Sequence, residues 1–342
     1  MTEAAAQVRP VRQNFIVEGS NMASSQTAAQ PTYRTRAKQL LRGIRSHWIL
    51  YLFVLPATVY YMIFVYYPMY GVQIAFQNYR IGEIFGQSEW AGLSHFTRFC
   101  KSYWFGTVVW NTLKLSLLGL GINFPMPIIL ALLLNEIQND RFKKTVQTIT
   151  YAPHFISLVV LCGALQLFLS PSSGVLGIAI NQIRSWFGLE NTNLLMSGPA
   201  FKWIYVLSGT WQGTGWGSII YFAALSSVDS QLLEAAEIDG ATKLQRMWYV
   251  NIPVLIPTIV TMLILACGGL MNSSFDKVFL LQNDGIRSVT ETINTYVYRS
   301  GLAGSQYSFS SAVGLMNSVV NALILILANQ ITRWLSEENS MF

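Results

Sequence analysis

Apolar runs close to twenty residues long recur six times along the chain, at 48–67, 108–134, 146–169, 203–225, 252–270 and 309–335, with polar or charged stretches between them. Runs of that length can cross the roughly 30 Å hydrocarbon core of a bilayer as helices. A helix is the element that satisfies its own backbone where water is absent. The pattern predicts an all-α polytopic membrane protein of six transmembrane helices. It divides the chain into a tail at 1–46 and a membrane domain at 47–342. Residues 1–33, rich in Ala, Gln, Ser and Thr, are expected to be disordered, and Met22 is an alternative start. Arg34, Arg36, Lys38, Arg42 and Arg45 form a basic run before the first span, which reads as a juxtamembrane anchor. That span begins too deep in the chain, and is too long, for a cleavable signal peptide.

Composition changes the picture little. Of 342 residues 52% are hydrophobic and 11% charged, which excludes an ordinary soluble domain. The net charge of +6 sits beside the spans, so it speaks for topology and against nucleic acid. An even number of spans puts both termini on one side, and 13 of the 22 Lys and Arg fall there, with the loops at 135–145 and 227–251. By the positive-inside rule that side is the cytoplasm. The opposite loops carry Trp90, Tyr103, Trp104, Trp186, Phe187, Tyr296, Tyr298 and Tyr307, as an interface belt or a partner surface would. Cys100, Cys162 and Cys267 are too scattered for a disulfide framework or a zinc site, and His47, His95 and His154 form no ligand cluster. His154, beside Pro153, reads as an interior hydrogen-bonded histidine. Gly213-Thr214-Gly215-Trp216-Gly217 lies within a span, outside any strand-loop-helix context, and no phosphate-loop motif occurs. The chain is therefore expected to bind no ATP and no metal of its own.

The charged stretch 229–251 has a helix-stop-helix grammar. Asp229 or Ser230 can cap a first helix whose Leu232, Leu233 and Ala236 share a face, and Gly240 suits its end. Thr242 can cap a second turn or two, with Leu244, Met247 and Trp248 on one side, before Pro253 and Pro257 open the next span. Glu234, Ala235, Ala236, Asp239, Gly240, Ala241 and Pro253 stand at the spacing of the EAA signature, which this loop resembles, of binding-protein-dependent ABC importer permeases. The resemblance implies a type I ABC importer permease fold in the bacterial inner membrane. It also implies a cytoplasmic coupling helix that docks on an ATP-hydrolysing subunit through Glu234 to Ala241 with Leu244 and Met247. Its further implications are a second homologous permease, two ATP-binding subunits holding ATP and Mg, and an extracytoplasmic solute-binding protein. The chain itself is then not an enzyme.

Within the spans, Gly209, Gln212, Gly213 and Trp216 share one helical stripe, as do Cys267, Leu270, Met271 and Ser274 with Asn272 beside them. Gly314, Asn317 and Asn321 share a third. Polar and aromatic groups of these kinds can hold a sugar, the ring against its apolar face and amides on its hydroxyls. Small residues at this spacing equally serve close helix packing, and both readings stand. Thr210-Trp211-Gln212-Gly213 resembles the segment that contacts solute in carbohydrate importers. By that likeness Gly209, Gln212, Gly213, Trp216, Met271, Asn272, Ser274 and Asn317 would line the substrate path, with Trp211 turned away. Ala91 to Phe96 and Asn111-Thr112-Leu113 also resemble sugar-importer permeases. Thr295 to Arg299 and the last span resemble permeases for polysaccharide fragments, including uronic-acid-bearing ones such as those of alginate or pectin. Gln282-Asn283-Asp284-Gly285 replaces the Gly-Gly-Pro common in that pattern. Competing classes are an ABC permease for another solute and an ion-coupled secondary transporter, which predicts buried acidic residues or broken helices at midplane; the spans contain no such carboxylate. A membrane enzyme would need a catalytic pair, and none is visible.

Overall fold

In the computed structural model, which describes residues 46–83 and 86–335, helices account for every regular element among the described residues apart from one isolated bridge, Gln77 to Trp90. The expected tail at 1–33 lies outside the described residues. The chain divides into two compact units, 1–67 and 68–342. The first contains α1 (Trp48–Tyr61), apolar on every side as a helix in hydrocarbon is.

The second unit holds the remaining helices. α2 (Trp104–Asn123) and α3 (Pro125–Asn135) run on as one 32-residue stretch. α4 (Asp140–Tyr151) and α5 (Leu158–Phe168) follow, then α6 (Gly198–Leu225) and the short α7 (Ser230–Ile238). α8 (Ile252–Gly268), α9 (Phe275–Leu281) and α10 (Tyr307–Leu335) come next, with shorter helices between them. Among the described residues four stretches are long and apolar enough to cross a membrane: Trp48–Phe76, Trp104–Asn135, Lys243–Gly268 and Tyr307–Trp334.

Two of the six expected spans differ from expectation. The run at 146–169 is not one helix. α4 ends in a 3-10 turn, Ala152–Phe155, and α5 departs at 95°. Pro153 offers no backbone N–H to continue α4, and Ser157 starts α5 afresh by accepting from the Val160 N–H. Counted as one bent span, the pair would make a fifth crossing. The bend also turns His154 outward, correcting its expected interior place: it is exposed and stacks on Trp216 with ring centres 4.5 Å apart. The run at 203–225 lies within the 28-residue α6, about 42 Å long at 1.5 Å per residue. That length spans a bilayer, but α6 carries too many Gly, Ser, Thr and Gln to count as an apolar crossing.

The reason is its position: α6 packs against α2, α3, α4 and α8. Gly215 lets the backbones of α6 and α4 meet, for a Cβ there would lie 2.0 Å from the Thr150 carbonyl oxygen. Gly217 does the same against Pro127, at 3.1 Å from its Cγ. Gly213, in contrast, faces open space, so the packing glycines of α6 are not the pair expected from small-residue spacing. Three apolar clusters stack along the bundle: Phe99 with Met271 and Phe309, Leu115 with Phe201 and Val278, and Leu132 with Tyr221 and Leu255.

The segment between α8 and α10, expected as an outer loop with aromatics at the interface, is largely packed into the helices. α9, Arg287–Thr290 and Ile293–Tyr298 fold back into the bundle, where Ile293 and Thr295 are buried and Tyr296 packs on Phe99 and Phe309. Glu291 is buried there as well, held by Arg299 at 2.8 Å and by Gln282. Burial raises its carboxyl above the ordinary value, against the pull of Arg299 and Arg287.

Gly215→Val should force α4 and α6 apart and cost about 3 kcal/mol or more, read as a fall in the thermal unfolding midpoint of the detergent-solubilised protein. Gly213→Ala, with nothing within 4 Å, should leave that midpoint unchanged or slightly higher.

Candidate functional site

A cavity of about 320 Å³ opens where α2, α6 and the end of α8 converge. Ser116, Gly119 and Asn123 come from α2, Tyr205 from α6, and Gly269, Asn272 and Ser273 from the turn after α8. Its polarity is built by helix termination. Asn123 is the last residue of α2 before Pro125, and the chain leaves α8 at a glycine pair, Gly268 and Gly269, in a turn rich in polar groups. The Thr210 hydroxyl donates to Asn123 Oδ1, and the Tyr205 hydroxyl accepts from the Ser274 N–H at 3.0 Å. The cavity is thus held by bonds between helices rather than within them.

The eight expected path residues do not form one surface. Asn272 lines the cavity, and its Oδ1 accepts from Asn317 Nδ2 at 3.2 Å. Asn317 is buried, and its own Oδ1 has no partner among the described residues. Gly209 stands beside Asn123, with Lys277 Nζ 3.2 Å from where its Cβ would be. Met271 is buried against Phe99 and Phe309, and Asn321 Oδ1 accepts from its N–H at 2.9 Å. Ser274 caps α9 by accepting from the Lys277 N–H. Gln212 donates to the Ile156 carbonyl at 2.8 Å, inside the bend between α4 and α5, and Trp216 stacks on His154 in the same bend. Trp211 lines a separate apolar cavity with Trp203 and Phe168, away from the polar one.

Lys277 went unnoticed in the sequence because it follows the apolar run of α8 and reads as a loop cation. It is only 5% exposed, its ammonium lies 5.1 Å from the centre of the Tyr205 ring, and burial lowers its pKa to about 8. Asn123 and Ser116 were equally hidden inside a run that reads as uniformly apolar. A polar residue just before a proline in such a run was the available signal.

The 229–251 loop takes the local form its residues call for. Asp229 accepts from the Gln231 N–H and caps α7. Gly240 adopts φ +76°, with its N–H on the Glu237 carbonyl and the Ala241 N–H on that of Ala236, the paired bonds of a Schellman stop. Thr242 and Gln245 form a capping box. The second helix, however, is not a separate short turn. Lys243–Arg246 runs through a π turn, Met247–Asn251, straight into α8, so the loop's second half is the end of a 26-residue helix. Glu234, Ala235, Asp239, Gly240 and Leu244 are exposed, while Ala236, Ala241 and Met247 are half-buried. Leu232, Ile238, Leu244, Trp248 and Tyr249 leave a large apolar area open to solvent, as docking surfaces do.

Arg246 joins this loop to the rest. It lies 3.5 Å from Glu136, at the end of α3, and 3.4 Å from Glu237 on α7. The Arg246 and Glu136 side chains are mostly shielded from solvent, so the pair is screened less than a surface one. Nothing in the spacing along the chain pairs residues 136 and 246.

Residues 123–337 match the family described as binding-protein-dependent transport system inner membrane component. The chain is 41% identical over 307 residues to the polygalacturonan/rhamnogalacturonan transport system permease protein YteP of Bacillus subtilis, covering 89% of this chain and 94% of that one. It is 38% identical to Protein LplB of the same organism, over 86% of this chain and 91% of that protein. Its fold is similar to a chain in the crystal structure of a bacterial ABC transporter involved in the import of the acidic polysaccharide alginate. That match has a TM-score of 0.77 and 38% identity, and covers 87% of this chain and 99% of the other. A second crystal structure, of the alginate transporter in complex with alginate pentasaccharide-bound periplasmic protein, matches with a TM-score of 0.78. A cavity among membrane-length helices, a charged helix-stop-helix loop and these relatives agree: the chain belongs to the inner membrane components of binding-protein-dependent transport systems.

Proposed function

We propose that this chain is the permease subunit of an ATP-driven importer that passes an oligosaccharide, including acid-bearing fragments of the alginate or pectin kind, across the inner membrane by alternating access. It crosses six times with both termini in the cytoplasm, α6 and the bent α4–α5 pair completing the four apolar crossings. It pairs with a second homologous permease, rests on two ATPase subunits that hold ATP and Mg, and receives solute from an extracytoplasmic binding protein. It performs no chemistry itself.

The observation that carries this reading is that one pair of spans supplies both ends of the device. The stretch Trp104–Asn135 brings Ser116, Gly119 and Asn123 to the cavity and ends at Glu136, which Arg246 holds. The helix Lys243–Gly268 begins at the docking loop and ends at Gly269 and Asn272 on the cavity wall. When ATP closes the ATPase subunits, the loops on them move. The Schellman stop at Gly240 and the Arg246 pairs pass that displacement to both spans, and the cavity changes the side to which it opens.

In proteoliposomes holding the complete transporter, ATP-dependent uptake of labelled trigalacturonate should require the binding protein, and its absence for every oligosaccharide tried would remove the substrate reading. Gly240→Val places a β-branched residue at φ +76°, so uptake should fall more than tenfold with weakened ATPase association; undiminished uptake would take the loop out of coupling. Arg246→Met should lower the sugar carried per ATP hydrolysed severalfold while hydrolysis continues, and an unchanged ratio would make the Arg246 pairs merely structural.

A further inference from the structure

Lys277 has no carboxylate within 4.0 Å among the described residues, although it is 95% buried by its 5% exposure. A buried ammonium without a counter-charge is costly, and one beside a cavity is balanced when an anion enters. Its neighbours are arranged for that. Asn123 gives its oxygen to the Thr210 hydroxyl, which fixes the amide and leaves Nδ2, with two protons, toward Gly209. A Cβ on Gly209 would sit 3.2 Å from Lys277 Nζ and 3.6 Å from Asn123 Nδ2, so the missing side chain leaves a space flanked by two donors. Gly119 also leaves room by Nδ2, its Cβ position 3.6 Å away. Lys277 and Gly209 are not on the cavity wall, but Asn123 and Tyr205, which stand next to them, are, so the space lies one side chain behind the path. A hydroxyl both donates and accepts, but an ionised carboxylate only accepts, and two side-chain donors converging on one space, one of them a cation, favour the carboxylate.

We infer that Lys277 Nζ and Asn123 Nδ2, converging over Gly209, form a subsite for the carboxylate of a uronic acid unit in the transported glycan. This rests on the oligosaccharide reading above and specifies the class of sugar it carries. Gly209 acts by having no side chain, Thr210 by orienting the amide, and Lys277 by charge.

The test uses the complete reconstituted transporter with ATP and two matched probe pairs, trigalacturonate and trimannuronate, each as the free acid and as its methyl ester. The binding protein is the same in every arm, so a change in the acid-to-ester uptake ratio on altering this chain belongs to the permease. Loss of one charge-assisted hydrogen-bond pair predicts a fall of about tenfold in that ratio for Lys277→Met. Lys277→Arg should restore most of it, and Gly209→Ala, which fills the space, should lower it comparably. Uptake of both forms with the ratio unmoved in Lys277→Met and Gly209→Ala overturns the subsite alone. Equal loss of acid and ester in Gly209→Ala overturns it too, as the effect would be on the path in general. Uptake of neither form by the unaltered transporter overturns the oligosaccharide reading and the subsite together.

Discussion

Hydrocarbon does not hydrogen-bond, and the polar central helix α6 makes that constraint felt throughout the second unit. A 28-residue helix with glycines, serines, threonines and an amide along it cannot face lipid on all sides. Other helices must surround it, and they do so at different depths: α2 and α3 along its length, α4 through the backbone contact at Gly215, α8 toward the loop. Several of its polar groups then have protein partners. Thr210 meets Asn123, Gln212 meets the Ile156 carbonyl, and Ser218 bonds within its own turn. The cavity lies where the enclosure is incomplete.

The break at Pro153 has the same origin. A straight helix through 146–169 would carry its lower half past α6 at one angle. Instead α4 presses its Thr150 carbonyl onto Gly215, and α5 leaves at 95° to lie against α9, where Gln166 donates to the Leu280 carbonyl. The carbonyl of Ile156, freed by the bend, is taken by Gln212. The amide whose chemistry suits a sugar hydroxyl is thus engaged in satisfying a backbone carbonyl left open because the Val160 N–H caps α5 on Ser157 instead.

What could be read along the chain was local. The apolar runs, the cap at Asp229, the positive φ of Gly240 and the cap at Thr242 depend on residues within a turn or two, and each is present. What could not be read was which neighbour a helical face meets. The 3.6-residue period puts Gly209, Gln212 and Trp216 on one stripe. It does not say that Lys277 stands beside the first while the bend at Pro153 takes the other two. Lys277 and Glu291 both lie in the stretch between the apolar runs 252–270 and 309–335, which the order of spans assigns to an outer loop. Only the folding back of 275–298 into the bundle buries them. The family resemblance pointed to the fold that the solved structures share, since its motif lies in the loop, where local grammar is most specific.

The unbroken helix from Lys243 to Gly268 gives the loop a mechanical advantage. At 1.5 Å per residue its 26 residues make a rod about 39 Å long, with the docking surface at one end and the cavity wall at the other. Had the loop ended in a separate turn before Pro253, a swing of that turn would have been lost at the joint. With the rod continuous, a tilt of about 5° at the docking end carries the far end by about 3 Å, the reach of one hydrogen bond. In the proposed transport cycle, a small rotation at the docking end would be enough to make or break a contact with a ligand at the cavity.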